Sequence, residues 1–252
     1  MRDEGRAWEG RSPIAKGGPV LVRRRCERAG VSRDASPAGF TLVELLVVIA
    51  ILAVLASLLF PALSRGRDRV RAVLCRHHLR QWALGTHLYA ADHEDYLPPE
   101  GVPNPSDRHT NTGWYIQLQQ TLGLPRYHDQ PWRTNPVASL PRTPWLCPSN
   151  SRRSNGNNLF HYCLNQHVDG TSSDETPVRL GELRQPAQMV WLFDSKNLPA
   201  VGGWGFVHTN LHGGGAHFAF LDGHVAHFPR DAYWDKAINR GRTNHASLLW
   251  QP

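Results

Sequence analysis

Four side chains near the C-terminus could bind a metal ion or transfer a proton: His212, His217, Asp222 and His224. Imidazole and carboxylate groups are common zinc ligands and common acid–base catalysts. No established motif surrounds them, since the chain has no His-Glu-x-x-His, Cys-x-x-Cys, Gly-x-Ser-x-Gly or phosphate-binding loop. Asp222 is also explained by a turn, described next. We therefore predict no catalytic residue, no metal ligand and no cofactor, and a protein that is not an enzyme.

The dipeptide Asp222-Gly223 separates two apolar runs, a pattern that predicts a β-hairpin. A two-residue loop of type I′ needs φ > 0 at both central positions, which Asp and Gly tolerate. With that loop, one face of the hairpin would carry Phe218, Phe220, Val225 and His227, and this face is the better core candidate. The other face would carry His217, Ala219, Leu221, His224, Ala226 and Phe228. His212 is predicted to be a hydrogen-bonded loop residue at the entrance of the hairpin.

A second chemically unusual residue is Glu44, the one carboxylate within the apolar run from Phe40 to Phe60. At about 1.5 Å per residue this run is long enough to cross a hydrocarbon core of about 30 Å as a helix. An acidic side chain at the centre of a membrane helix costs about 2.5–3.5 kcal/mol and usually marks a partner or a function. We therefore expect a positive group to neutralise Glu44.

The hexapeptide Gly39-Phe40-Thr41-Leu42-Val43-Glu44, followed by an apolar run, resembles the processing signal of type IV pilins and of the pseudopilins of type II secretion. The resemblance implies cleavage between Gly39 and Phe40 by a prepilin peptidase, which also methylates the new amino terminus. It further implies that Glu44 pairs with the terminal amine of a neighbouring subunit and sets the stagger of packed helices. The alternative is an ordinary signal anchor that contains a glutamate.

Nine residues separate His212 from Asp222-Gly223, and this spacing reproduces the H-X9-DG signature of a large bacterial family of pilin-like proteins. The segments that follow the anchor and the step Cys147-Pro148-Ser149 also resemble that family. Because some major pseudopilins hold calcium in their C-terminal loops, Asp194 with Asp222 is a weaker calcium candidate. The chain shows no clear run of oxygen ligands to complete such a site.

Residues 1–39 are polar and show no apolar periodicity, so we interpret them as a cytoplasmic leader that is cleaved. They hold nine Lys/Arg and five Asp/Glu, so more than half of the formal net charge of +7 lies in the leader. The charge therefore does not indicate a nucleic-acid partner. Basic residues flank the apolar run on both sides, and the processing signal, rather than the charge rule, places the N-terminus in the cytoplasm.

The sequence divides beyond the leader into a membrane or assembly helix (40–63), an amphipathic continuation of this helix (64–96) and an exported β-rich body (97–252). The predicted inner stripe of the continuation is Val70, Val73/Leu74, His77, Gln81/Trp82, Gly85 and Leu88/Tyr89. We also predict a helix over 114–122 and a buried strand over 189–195. The fold class is α+β and pilin-like: a long N-terminal helix packed on a small antiparallel sheet with long loops.

Three cysteines lie outside the leader, which allows one disulfide and one free thiol in an exported body. The family resemblance favours Cys75–Cys147, which would tie the helix to the body. Cys147–Cys163 and no disulfide at all stay open as alternatives.

Together these observations predict a structural subunit, anchored in the inner membrane by one span or assembled into a type IV pilus or a type II secretion pseudopilus. Its N-terminus would be cytoplasmic and its body periplasmic or extracellular. The expected partners are the prepilin peptidase/methyltransferase, other pilin-like subunits and the membrane. The alternative is a membrane-anchored binding module for polysaccharide or DNA, with stacking surfaces drawn from tryptophans that are mostly expected in the core: Trp114, Trp132, Trp145, Trp191, Trp204, Trp234 and Trp250.

Overall fold

The computed structural model of the protein describes residues 40–100, 113–168, 178–196 and 200–252. The leader, including Gly39, lies outside the described residues. The chain divides into two compact units, residues 1–52 and residues 53–252, and each is described by itself.

The described part of the first unit is the start of helix α1 (Leu42–Asp92). Thr41 precedes the helix, and Glu44 is the acidic residue of its first turn, where a negative charge opposes the positive end of the helix dipole. The apolar side chains from Leu42 to Leu52 are exposed to solvent. Among the described residues, α1 is the helix that is long and apolar enough to cross a membrane.

In the second unit, α1 continues through Pro61 and ends at Asp92, four residues before the end of the predicted segment 64–96. The predicted inner stripe is wrong in its early turns, because Val70 and Val73 are exposed and burial begins at Cys75. The buried side of α1 is formed by Cys75, Leu79, Trp82, Ala83, Gly85, Thr86, Tyr89 and Ala90. The Trp82 indole N–H donates to the Pro144 carbonyl (2.8 Å), which fixes this side of the helix against the body.

The body contains a five-stranded sheet with the order β3-β1-β2-β4-β5. Its strands are β1 (Tyr162–Asn165), β2 (Val190–Asp194), β3 (Val201–Gly202), β4 (Gly215–Phe220) and β5 (Val225–Pro229). Neighbouring strands are antiparallel except β1 and β3, which are parallel. The α+β class and the long helix with its antiparallel-rich sheet are therefore confirmed, and so is the buried strand that was predicted over 189–195.

The remaining elements are short. They comprise helices α2 (Trp114–Thr121) and α3 (Arg230–Tyr233), 3-10 helices Tyr127–Asp129, Pro131–Arg133, Leu180–Glu182 and Trp204–Phe206, and strand pairs β6 (Trp234–Asp235) with β7 (Arg240–Gly241) and β8 (Asn244–His245) with β9 (Leu248–Leu249). Helix α2 confirms the helix predicted over 114–122.

Hydrophobic clusters cover both faces of the sheet. On one face, Ala219 and Leu221 belong to the cluster that includes Cys75, Leu79 and Trp82 of α1. On the other face, Phe218 and Phe220 pack with a second cluster, which includes Phe193, Tyr233, Leu248 and Trp250. Burial on both faces explains why β2 and β4 are nearly continuous apolar runs.

The register of the β4–β5 hairpin differs by one residue from the prediction. Phe218 pairs with Ala226 and Ala219 with Val225, and the Phe220 N–H donates to the His224 carbonyl (3.0 Å). The loop therefore has three residues, with Gly223 at φ 89° as the left-handed residue. This is the favoured three-residue loop, a type I turn followed by a left-handed residue. The shift moves Val225 and His227 to the face of Ala219, opposite the face of Phe218 and Phe220.

Candidate functional site

Glu44 forms a capping box with Thr41 at the start of α1. The Thr41 backbone N–H and hydroxyl both donate to Glu44 Oε2 (2.8 Å each), and the Glu44 N–H donates to Thr41 Oγ1 (3.2 Å). The pattern Thr-x-x-Glu ahead of an apolar run is the signature of this motif, so the sequence already contained the signal. Phe40 is described and exposed, whereas Gly39, on the other side of the predicted cleavage site, is not described.

Asp222 and Gly223 of the H-X9-DG motif serve the hairpin loop. Asp222 Oδ1 accepts the His224 N–H (3.0 Å) and lies 2.6 Å from His224 Nδ1. Gly223 supplies the positive φ angle that closes the loop. The His224 ring stacks on Phe220 with 4.3 Å between ring centroids. This end of the motif is a turn, and it lies beyond the Val190 end of β2, because Phe220 pairs with Val190.

The histidine of the motif belongs to a different group, at the opposite end of β2. His212 Nε2 lies 3.1 Å from Asp194 Oδ2, and His217 Nδ1 lies 3.3 Å from the same oxygen. The His217 backbone N–H donates to it as well (2.8 Å). Since Asp194 and Asp222 lie toward opposite ends of β2, the structure does not bring them together as a shared calcium site.

Strand pairing and a glycine turn position this group, which we call the Asp194–His212–His217 cluster. Asp194 is the last residue of β2, and the pairing of Phe193 with Phe218 places it beside β4. The loop before β4 folds back so that the Leu211 and His212 N–H groups both donate to the Gly215 carbonyl (3.0 and 3.2 Å). Gly213 and Gly214 take φ angles of 62° and 88°, which glycine adopts without the usual strain.

The cluster is buried: Asp194 is 0% exposed, and His212 and His217 are each 5% exposed. Burial by itself would raise the pKa of Asp194, because it disfavours the charged form. The hydrogen bonds and positive charge of His212 and His217 outweigh it and hold the pKa of Asp194 below its ordinary value. The carboxylate is therefore ionised at neutral pH, inside the protein.

Two further histidines support the cluster from outside. His227 Nε2 donates to the His212 carbonyl (2.7 Å) and so ties the loop to β5. His161 Nδ1 accepts the Cys147 N–H (3.1 Å), and its Nε2 lies 2.9 Å from the Arg152 carbonyl. Burial lowers the pKa of His161 to about 4, so this imidazole is neutral.

Cys75 and Cys147 form a disulfide with a Cα–Cα distance of 4.8 Å, which links α1 to the loop before β1. His212 Nε2 lies 3.4 Å from Cys147 Sγ, so the disulfide borders the cluster. Cys163 is a buried free thiol, and burial raises its pKa well above the ordinary value. The thiol is therefore protonated and shielded from solvent.

An open cavity of about 570 Å³ reaches the cluster from solvent. Its wall includes Asp68, Arg69, Arg71, Ser149, Leu211, His212, Gly213, His217 and His227. Chemically, an imidazole that is held by a buried carboxylate is the orienting half of a general base, and two imidazoles with one carboxylate are a ligand set for a transition metal. Sequence reasoning considered His212 and His217 but missed their meeting with Asp194. The signal would have been an acidic residue that ends a buried strand and pairs with the hairpin.

Among the described tryptophans, most of those considered as stacking surfaces are core residues, as expected, whereas Trp204 is only partly buried. Trp114, Trp132, Trp145, Trp191 and Trp250 are each exposed by 2% or less. They supply packing area and hydrogen bonds, such as the Trp191 indole N–H to Thr86 Oγ1 (2.8 Å), rather than stacking surfaces.

Comparisons with known proteins identify a motif near the N-terminus of the chain and one similar protein. Residues 35–60 match the family described as the prokaryotic N-terminal methylation motif. The chain is 40% identical over 58 residues to the type IV wide pilus major component PilA4 of Thermus thermophilus, which covers 23% of this chain and 44% of that protein. The chain thus spans less than half the length of the curated relative that it matches. No solved structure matches the chain.

The methylation motif directly precedes and enters the apolar start of α1, and the helix packs on an antiparallel-rich sheet. By this motif, this relative and this fold, the chain is similar to type IV pilins.

Proposed function

We propose that this protein is a structural subunit of a type IV pilus or of a type II secretion pseudopilus. The observation that carries the proposal is the methylation motif at 35–60, which runs into an apolar helix whose side chains from 42 to 52 are exposed. Exposed leucines, valines and isoleucines over this length need a bilayer or neighbouring helices to cover them.

The proposed route begins with insertion into the inner membrane as a single span, with the leader in the cytoplasm. Prepilin peptidase then cleaves between Gly39 and Phe40 and methylates the Phe40 amine. The body, residues 97–252, lies on the periplasmic or extracellular side, where the disulfide between Cys75 and Cys147 can persist. Without its leader the chain loses more than half of its formal net charge.

Glu44 is proposed to pair with the Phe40 amine of a neighbouring subunit. Within its own chain, both of its side-chain hydrogen bonds from Thr41 fall on Oε2. Glu44 can therefore keep its capping role through Oε2 and accept a hydrogen bond from an ammonium group of another helix through Oε1. In an apolar environment such a pair would fix the axial offset between subunits, since an unpaired charge there is costly.

We propose that the body forms the outer surface of the assembled filament and has no catalytic role. The C-terminal half of α1 and the sheet form one packed unit. The Cys75–Cys147 disulfide and the two hydrophobic clusters hold them together. Partners would be further pilin-like subunits through α1, and the prepilin peptidase during maturation. A polymer-binding module finds less support, since five of the tryptophans that could stack on a polymer are buried.

Separation of surface filaments from membranes tests this proposal. Filaments sheared from cells that express the full chain should contain the mature protein, and a Glu44→Val variant should stay in the membrane fraction. The proposal fails if the mature chain occurs as a membrane monomer under all conditions. Retention of that monomer on a polysaccharide or DNA column would favour the binding module instead.

A further inference from the structure

We propose that Asp194, His212 and His217 bind one divalent transition-metal ion of the zinc type. This site goes beyond the proposed role in assembly, and it differs from the absence of metal ligands expected from the sequence. The three side chains each offer a ligand atom, and these atoms all lie within 4.8 Å of one another. A group of two imidazoles and one carboxylate suits zinc, iron, copper or nickel rather than calcium or magnesium.

The distances fit a tetrahedral ion. Zinc bonds to imidazole nitrogen and carboxylate oxygen are about 2.0–2.2 Å long, and ligands at that range on a tetrahedron lie about 3.3 Å apart. His212 Nε2 and His217 Nδ1 lie 3.1 and 3.3 Å from Asp194 Oδ2. The two histidine nitrogens lie within 4.8 Å of each other, so they would close to about 3.3 Å around the ion while their distances to Asp194 stay nearly unchanged.

Charge and hydrogen bonding also point to a cation. The Asp194 carboxylate is fully buried, and buried carboxylates are stabilised by a positively charged partner or by a metal ion. Within the described part of the chain, His217 Nδ1 lies 3.3 Å from Asp194 Oδ2 but makes no hydrogen bond of acceptable geometry, so its lone pair is open to an ion. A buried polar atom without a partner costs about 1–3 kcal/mol. A metal ion would ligate His217 Nδ1 and neutralise the carboxylate with both imidazoles uncharged.

The cavity supplies access and a fourth position. His212 and His217 line the open cavity of about 570 Å³, so an ion can enter from solvent without unfolding the body. Three protein ligands leave one coordination position for water or another small ligand, as in zinc sites that exchange ligands. The same wall carries Arg69 and the Asp68–Arg71 ion pair, a net positive charge that would favour an anionic ligand at that position.

A second group of possible metal ligands also contains His212, so the test must distinguish it from the first. Cys75 and Cys147 with His212 also lie within 4.8 Å of one another. Thiolates bind zinc, whereas sulfurs joined in a disulfide do not supply thiolate ligands. Because Cys75 and Cys147 are joined in the structure, the proposed site is that of the oxidised protein.

The test uses the full chain in detergent, with the disulfide verified by thiol titration. After incubation with Zn²⁺ and removal of the excess, elemental analysis should find one ion per chain. With Co²⁺ as the probe, the visible spectrum should show the absorption of a tetrahedral site. An oxidised chain that retains no metal overturns the proposal, and so does metal that appears only after reduction, because that result indicates thiolate ligands.

A matched pair of variants assigns the ligands. His217→Ala removes a ligand, and we expect the affinity of this variant for Zn²⁺ to fall by more than about 100-fold. Mutation even of residues that only contact the ligands lowers metal affinity by about 10–100-fold. His224→Ala removes a half-exposed histidine from the same hairpin and should leave the affinity within about twofold. Equal affinities of the two variants would overturn the assignment. If His217→Ala does not fold, the oxidised wild-type chain decides the question by itself.

Discussion

Glu44 and Asp194 are carboxylates in opposite environments. Glu44 lies on an exposed apolar helix and has Thr41 as its local partner, whereas Asp194 is fully buried between two histidines. The partner proposed for Glu44 is the amine of another molecule, and the partners of Asp194 belong to its own body. The contrast separates a residue for which we propose a role in assembly from one that contacts groups of its own body.

The first prediction concerns the charge of Glu44. Glutamine also completes a capping box, so Glu44→Gln keeps the start of α1 but removes the charge. We expect this variant to be lost from filaments, since an ammonium left unpaired among apolar helices costs about 3–5 kcal/mol. It should remain in the membrane, because loss of the charge favours insertion.

Thr41→Ala is the matched control, since it weakens the cap and leaves the charge in place. Cap loss costs about 0.5–2 kcal/mol of helix stability, and assembly should persist. The measurement is the amount of each variant in sheared filaments and in the membrane fraction. Normal assembly of Glu44→Gln would show that the charge does not set the packing.

The second prediction concerns the stability of the body. Asp194→Ala leaves His212 and His217 without their carboxylate, and we expect the free energy of unfolding to fall by about 3–5 kcal/mol. Asp68→Asn, at an exposed ion pair with Arg71, should change it by less than about 1 kcal/mol. Denaturant titration of the full chain compares the two. Similar effects from both substitutions would contradict the buried role of Asp194.

The third prediction follows from His161 beside the cluster. Its folded pKa of about 4 lies below the ordinary value of 6.5, so below pH 6.5 the unfolded chain binds a proton that the folded chain rejects. The contribution of His161 to stability is therefore full above about pH 6.5 and is lost as the pH drops toward 4, by about 3 kcal/mol. Protonation of Nδ1 would also break the bond from the Cys147 N–H.

His161→Gln should flatten that part of the pH profile, although it lowers stability at neutral pH. Unfolding free energies at several pH values between 4 and 7 provide the comparison. An unchanged slope in the variant would assign the acid sensitivity to other groups.

The smallest effect is expected at the hairpin loop. Gly223→Ala forces an alanine to φ 89° and brings its Cβ to 3.3 Å from His87 Nε2, so we expect a loss of about 1–2 kcal/mol. Gly205→Ala, where the new Cβ meets nothing within 4 Å, is the control and should be near neutral. Thermal unfolding of both variants separates a conformational requirement at Gly223 from a general effect of alanine.

The same two regions show what a sequence reveals. The membrane-length run, the processing hexapeptide and the end of α1 depend on neighbours along the chain, and α1 and the strand over 189–195 were predicted with nearly the right bounds. The hairpin register slipped by one residue, because Asp222-Gly223 fits both a two-residue loop and the three-residue loop that the structure adopts.

The Asp194–His212–His217 cluster could not be predicted from neighbours along the chain. Asp194 reaches His217 through the pairing of β2 with β4, and it reaches His212 through a loop whose path depends on Gly213 and Gly214. The early turns of α1 were misjudged for a similar reason. Val70 and Val73 fit the helical period, but the packed side of α1 begins only at Cys75, where the disulfide ties the helix to the body.

The most direct measurement of the central claim is mass spectrometry of the N-terminal peptide from membrane-isolated protein. We predict a chain that begins at Phe40 with a methylated amine and lacks residues 1–39. An uncleaved chain, or one cleaved at another position, would contradict processing at Gly39-Phe40 and return the helix to the role of a plain membrane anchor.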